Sequence, residues 1–223
     1  MSTARVDIAG QTAQTRIWQG DFGRAYTDRN TLETAELDAL WVRNYGISRS
    51  AINQMFLEGI SRSASFLEVG CNVGNQLLLL QAQGYTQLTG IELQSYALAG
   101  ARSRLKNVDL QQGSALALPF EDQAFDVVFT SGVLIHIAPD DLPQAMSEIH
   151  RCARHCIWGA EYFSPQLAAV NYRGNDGLLW KMDYARKYLT LFDDLELVKE
   201  RRLPYLDSDN VDSIFLLKKR QRT

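Results

Sequence analysis

The stretch that decides the fold is Ser65-Phe66-Leu67-Glu68-Val69-Gly70-Cys71-Asn72-Val73-Gly74-Asn75. Phe66, Leu67 and Val69 form a short apolar run that reads as a buried strand, broken at Gly70. Gln76-Leu77-Leu78-Leu79-Leu80-Gln81 then reads as a helix closed by Gly84. Strand, glycine-bearing turn and helix make a ligand junction, because the first backbone N–H groups of the helix have no partners inside it. The spacing restricts the ligand. A dinucleotide fingerprint, G-x-G-x-x-G, counted from Gly70 falls on Asn72 and Asn75, so a pyrophosphate cofactor is disfavoured. What remains is Glu68-x-Gly70-x-Asn72-x-Gly74, an acidic residue followed by two-residue steps.

Downstream the pattern alternates strand and helix. Strands are predicted at 87–93, 108–112, 125–130 and 156–160, with helices at 95–106 and 140–154 between them. A further helix over 184–192 sits behind a capping Asp183, and strands at 195–203 and 213–217 follow. Repeated βα units imply an α/β fold: a doubly wound, seven-stranded, Rossmann-like sheet with helices on both faces. The last connection is too short for a crossover helix, so the last strand is expected to run antiparallel. Upstream, 31–41 and 48–60 read as helices, whereas 17–30, rich in aromatics and glycine, fits neither helix nor strand. Residues 1–16 are polar and read as loosely packed. The expected division is an N-terminal helical cap and lid over 1–60 and a Rossmann-like catalytic domain over 61–223.

Composition excludes several classes. The 223 residues are 46% hydrophobic and 22% charged, with a formal net charge of −3, so no global positive field recruits nucleic acid or an anionic membrane. The basic run Lys218-Lys219-Arg220 reads as a solvated terminus. No stretch approaches the roughly 20 apolar residues of a membrane span, and no apolar signal core opens the chain. Three cysteines imply no disulfide framework, and the expected location is cytoplasmic. His150-Arg151-Cys152-Ala153-Arg154-His155-Cys156 offers soft ligands, but it spans a helix end, a turn and a strand start. Its side chains should diverge, so no metal is expected.

The Glu68–Gly74 pattern resembles motif I of class I S-adenosylmethionine (SAM) methyltransferases, E/D-x-G-x-G-x-G, with Asn72 at the middle glycine. Asparagine tolerates positive φ, so the turn survives the change. Trp18-Gln19-Gly20-Asp21-Phe22-Gly23, Tyr26-Thr27, Arg29-Asn30, Gly113-Ser114 and Gly132-Val133-Leu134-Ile135-His136-Ile137 resemble the methylases associated with pseudaminic acid biosynthesis. So do Glu161-Tyr162, Ser164-Pro165 and Tyr172-Arg173-Gly174. That resemblance implies SAM as cofactor, an N-terminal block folded over it, and an acidic sugar or its nucleotide-activated form as acceptor.

In such a sheet ligands bind at the carboxyl ends of the strands, which makes the cofactor set readable. Glu68, Gly70, Asn72 and Gly74 form the loop after the first strand. Glu92, beside Leu93, ends the second strand, where its carboxylate suits the ribose hydroxyls. Ser114 and Ala115 follow the third and face the adenine, and Thr130, Ser131 and Gly132 end the fourth near the methionine part. Trp18, Phe22 and Tyr26 offer aromatic faces to a sulfonium, or else dock the cap onto the sheet, and Arg29 suits the methionine carboxylate.

His136, on the acceptor side, is either a base for a hydroxyl or amine or a packed loop histidine. Tyr162, Tyr172 and Arg173 line the same mouth, with Arg173 suited to a carboxylate on the acceptor. The expected function is methyl transfer from SAM to a small, acidic metabolite by a monomer or homodimer, without nucleic acid or membrane. Two alternatives stay open. One is a SAM cyclase giving azetidine-2-carboxylate and methylthioadenosine, with Ser131, Tyr162, Tyr172 and Asn175 around the amine. The other is a SAM-binding partner protein without turnover.

Overall fold

Alternate residues of Ser65–Val69 point into two separate cores, Phe66 into one and Leu67 and Val69 into the other, and the remaining elements arrange themselves about that division. The computed structural model describes residues 12–220. Four helices come first: α1 (Ala13–Gln19), α2 (Asp21–Arg29), α3 (Thr34–Tyr45) and α4 (Arg49–Phe56). Then follow β1 (Ser65–Val69), α5 (Asn75–Ala82), β2 (Gln87–Glu92), α6 (Ser95–Arg104), β3 (Asp109–Gln112) and β4 (Phe125–Ser131). The chain continues through α7 (Leu142–Cys152), β5 (Ala153–Tyr162), β6 (Ala168–Ala169), β7 (Trp180–Lys181), α8 (Tyr184–Leu191), β8 (Leu195–Pro204) and β9 (Val211–Lys219).

The main sheet has seven strands in the order β3-β2-β1-β4-β5-β9-β8. From β3 to β5 every pair is parallel, and β9 runs antiparallel to both β5 and β8. The expected doubly wound architecture and antiparallel last strand are therefore present. Strand order reverses between β1 and β4, which opens a crevice at their carboxyl ends.

On one face Phe66, Phe129 and Trp158 stack in series beneath α4 and α5, joined by Ile52, Phe56 and Leu77. On the other, Leu67, Val128 and Ile157 meet Met146 and Ile149 of α7 and Tyr184 and Tyr188 of α8. Truncating such a fully buried aromatic as Phe66 costs about 3–5 kcal/mol.

Four boundaries differ from the sequence reading. Residues 17–30 are helical, in α1 and α2, because Gly20 separates two short helices and Gly23 lies inside the second. A Cβ on Gly23 would stand 1.8 Å from the Trp18 carbonyl oxygen, so that glycine serves close packing rather than a loop. Residues 1–11 lie outside the described residues, and Thr12 forms a reciprocal capping pair with Thr15 at the start of α1. Helix α7 stops at Cys152 and β5 begins at once with Ala153, earlier than expected. Lys218 and Lys219 belong to β9, and Lys219 donates to the His150 carbonyl at 2.6 Å.

Candidate active site

The loop after β1 is held from two directions. Gly70 N–H and Cys71 N–H both donate to the Ile91 carbonyl, at 2.8 and 3.0 Å. Gly70 sits at φ 73°, and a Cβ there would lie 2.7 Å from Val133 Cγ2, so the loop backbone packs directly beneath the β4 loop. Asn72 adopts φ 47°, the left-handed conformation the sequence required of it. Its N–H donates to Glu92 Oε2 at 2.9 Å, while Gln94 N–H donates to Glu92 Oε1 at 2.9 Å. One carboxylate thus joins the two loops, and each oxygen retains lone-pair capacity for a further donor. Burial raises the Glu92 carboxyl and these backbone bonds oppose the rise.

A cavity of about 450 Å³ opens over this junction. Of the cofactor residues expected from the sequence, Glu68, Gly70, Asn72, Glu92 and Leu93 line it on the β1–β2 side. Ser114, Ala115, Ser131 and Gly132 line it from the β3 and β4 loops, and Trp18 and Tyr26 close it from α1 and α2. Besides Arg29, two of that set lie elsewhere. Gly74, at φ 77°, opens α5, and its missing Cβ makes room for Leu105 rather than for a ligand. Thr130 is buried behind the wall and hydrogen-bonds Glu161.

Four residues expected around the site lie off the cavity wall. Arg29 is exposed and off the cavity, because α2 turns Gly23, Tyr26, Thr27 and Asn30 inward and leaves Arg29 off that face. Arg173 is also exposed, in a turn at φ 53°, with its guanidinium 5.9 Å from the centre of the Tyr172 ring. Tyr172 does not line the cavity; it packs behind the wall, 5.3 Å from His136 and 6.0 Å from Phe22 between ring centroids. Asn175 is exposed in the same turn.

His136 and Tyr162 do line the cavity. The His136 ring lies 4.5 Å from Trp18 and 6.0 Å from Tyr26, and its Nδ1 meets the Leu178 carbonyl at 2.8 Å. Burial pushes the imidazole down to about 4, against the opposing pull of that carbonyl. Near neutrality it is therefore uncharged, with Nδ1 as donor and Nε2 left as an acceptor. Gln14 fastens α1 to the same loop, contacting the His136 carbonyl and accepting from Ala138 N–H at 2.8 Å.

The sequence reading missed the side of the cavity under α3 and α4. Arg49 is 1% exposed, its guanidinium 4.4 Å from the Trp41 ring centre and 5.3 Å from that of Trp158. Its Nε donates to Gln76 at 3.2 Å, and both Nη atoms are buried without a protein partner. Burial lowers it to about 10, so it stays cationic at neutral pH. Glu68 Oε2 is likewise buried and unpartnered, and burial holds that carboxyl well above its ordinary range. Burial also lifts Glu161 to about 7 and Asp212 to about 6. A signal for Arg49 existed: Arg49, Ile52, Asn53 and Phe56 fall on one helical stripe, which puts two polar residues where core residues belong. Elsewhere His150 pairs with Asp194 at 2.9 Å and stacks on Phe192, while Cys152 lies in the core.

A seven-stranded sheet of this order, with a cavity at its strand-order reversal, is the fold that class I SAM-dependent methyltransferases share. Residues 67–155 match the family model described as a methyltransferase domain, and that segment carries the cavity walls from Glu68 to His136.

Among curated relatives, a demethylmenaquinone methyltransferase of Chlorobaculum tepidum is 32% identical over 116 residues, covering 51% of this chain and 47% of that protein. A botryococcene C-methyltransferase of Botryococcus braunii is 31% identical over 131 residues, covering 52% and 34%. An uncharacterized protein of Haemophilus influenzae is 30% identical over 99 residues, covering 42% and 39%. The chain thus spans less than half the length of each of these relatives.

Among solved structures, the Burkholderia thailandensis 1,6-didemethyltoxoflavin-N1-methyltransferase with bound 1,6-didemethyltoxoflavin and S-adenosylhomocysteine superposes with a TM-score of 0.70. It is 18% identical, with 97% of this chain and 94% of that one covered. The [4+2]-cyclase SpnF superposes with a TM-score of 0.62 at 17% identity, over 78% of this chain and 82% of its own. At such identities the likeness is one of fold, and one fold carries more than one chemistry.

Proposed function

We propose that the chain transfers the methyl group of SAM to a small-molecule acceptor inside the cavity under α1–α4. The observation that carries this reading is the Glu92 carboxylate, bonded to Asn72 N–H and Gln94 N–H at the mouth of both loops. Such a carboxylate has acceptor capacity for two ribose hydroxyls, each worth about 1.5–3 kcal/mol as a hydrogen bond to a charged group. Ser114 and Ala115 then face the adenine, and Ser131 and Gly132 the methionine part. Arg49 takes the role first given to Arg29, since its buried, unpartnered Nη atoms suit a carboxylate. Trp18 and Tyr26 cover the site as part of an N-terminal helical cap, described from residue 12 to 60, over a catalytic unit that begins at residue 61.

SAM, when bound, supplies a methyl group already activated by its sulfonium. The protein's own part is therefore alignment and exclusion of water. His136, neutral and with Nε2 free, orients an acceptor hydroxyl or amine by accepting its proton in a hydrogen bond. Arg173 faces solvent and does not carry the expected acidic acceptor, and the cavity wall holds Glu68, Glu92, Glu161 and Asp212. The motif blocks around Trp18 and Gly132 still support a place near the pseudaminic acid biosynthesis-associated methylases. A net charge of −3 suits a cytoplasmic enzyme of small molecules rather than of nucleic acid.

Calorimetry with S-adenosylhomocysteine tests the cofactor half. Binding by the parent and a loss of tenfold or more in Glu92→Ala are expected, and an unchanged variant overturns the assignment. Incubation with SAM alone tests the reaction. Methylthioadenosine formed above the spontaneous rate would replace methyl transfer with ring closure. Tight binding without product from any metabolite pool would indicate a protein without turnover.

A further inference from the structure

At the far edge of the cavity the sheet changes direction. Tyr162 ends β5 and pairs in register with Asp212 at the start of antiparallel β9. Asp212 is 7% exposed, yet it lines the cavity. Its Oδ2 accepts the Tyr45 hydroxyl at 2.7 Å, whereas Oδ1 is buried with no partner. Among the described residues no lysine, arginine or histidine nitrogen lies within 4.0 Å of it.

Three tyrosines stand around this carboxylate. Tyr45 and Tyr205 meet edge to face at 4.6 Å between ring centroids, and Tyr162 and Tyr205 at 6.3 Å. The loop carrying Tyr205 is pinned to α3, since Leu206 N–H donates to the Asn44 carbonyl at 2.8 Å. Tyr45, Tyr162, Tyr205 and Asp212 all line the cavity. A buried carboxylate oxygen without a donor is costly, and aromatic faces about it attract cations. Arg49 and Lys181 favour the carboxylate through space, but neither forms an ion pair with it: Arg49 is stacked on Trp41 with its Nη atoms unpartnered, and Lys181, 5.4 Å from the Tyr162 ring centre, is bonded to Asn210.

We propose that Asp212, enclosed by Tyr45, Tyr162 and Tyr205, anchors an amine of the acceptor. The inference rests on the methyl-transfer reading and narrows its substrate class to molecules bearing a basic nitrogen. An ammonium donates to Oδ1 and lies against the tyrosine faces. A carboxylate in the same place meets Asp212 itself, so the subsite selects by charge repulsion as well as by attraction.

The test uses the full chain and matched fragments: 2-phenylethylamine, 2-phenylethanol and phenylacetate. Their affinities are measured by saturation-transfer NMR with and without S-adenosylhomocysteine. The amine is expected to bind about tenfold or more tighter than either counterpart, the effect of one charge-assisted hydrogen bond. Asp212→Asn, which keeps an acceptor for Tyr45, abolishes that preference, while S-adenosylhomocysteine affinity stays within about twofold of the parent. Tyr205→Leu, which opens one wall without touching the carboxylate, weakens the amine alone. An alcohol or acid that binds as tightly as the amine overturns the proposal, and so does an Asp212→Asn protein that still prefers the amine. If S-adenosylhomocysteine fails to bind the parent chain, the cofactor reading falls, and the fragment comparison on the free protein still decides this one.

Discussion

The hydroxyl of Thr27 lies 3.0 Å from Asn72 Oδ1 and 3.2 Å from Gln94 Oε1, so helix α2 is hydrogen-bonded to the loop after β1. Asn72 holds a left-handed backbone, which glycine adopts at lower cost, and in exchange supplies a side-chain acceptor that glycine lacks. The unusual residue of the loop is thereby also the residue that reaches helix α2.

Asn72→Gly should therefore leave the loop intact and loosen α2. Thr27→Val should do the same from the other side. A double-mutant cycle on S-adenosylhomocysteine affinity is expected to return a coupling of about 0.5–1.5 kcal/mol, the net worth of one hydrogen bond. Coupling indistinguishable from zero would show that α2 keeps its place without this link.

Gly23→Ala makes a harder demand. The added methyl would stand 1.8 Å from the Trp18 carbonyl oxygen and 2.6 Å from Gln94 Nε2, which itself donates to that carbonyl at 2.9 Å. Neither backbone can yield without parting α1 from α2. Limited proteolysis is expected to cut the variant within α1–α2 while the sheet retains its thermal transition. Unchanged protection of α1–α2 would refute the packing argument.

The sheet was legible because its signal is periodic: alternating apolar strands, a capped α8 behind Asp183, and a glycine turn after β1 all come from near neighbours in sequence. Glu92 was legible for the same reason, lying at a strand end about 20 residues beyond the loop. The helical form of residues 17–30 was not. Gly20 and Gly23 read as breakers, and only the approach of the Trp18 carbonyl explains the second as packing. Asp212 was invisible too, since it contributes through Tyr45, 167 residues earlier, a contact that only the folded sheet creates.

His136 should stay uncharged through the physiological range. Its folded-state value is about 4, below the ordinary 6.5, so folding disfavours the proton. This contribution to stability is full above about pH 6.5, and shrinks as pH falls toward 4. A pH titration by NMR should place the imidazole midpoint near 4. A midpoint near 6.5 would show that solvent reaches the ring and restore it as a strong base near neutrality.

Glu161 has the opposite sign. Its carboxylate is buried, accepting from Val133 N–H at 3.2 Å, Ile135 N–H at 3.4 Å and the Thr130 hydroxyl, yet burial outweighs these bonds and lifts it to about 7. The folded state therefore holds a proton that the unfolded chain releases near 4.5. That stability is present below about pH 4.5 and is lost as pH rises through 7. Glu161→Gln removes the titration but sets an amide N–H₂ against a backbone donor, so the variant should be less stable at pH 5. As pH rises to 8 the parent gives up its protonated-state advantage and the variant does not. The gap between their melting temperatures should accordingly narrow between pH 5 and 8, read by calorimetry in matched buffers. A gap that is constant over that range would mean that Glu161 is ionised in the folded protein throughout, with its hydrogen bonds outweighing burial.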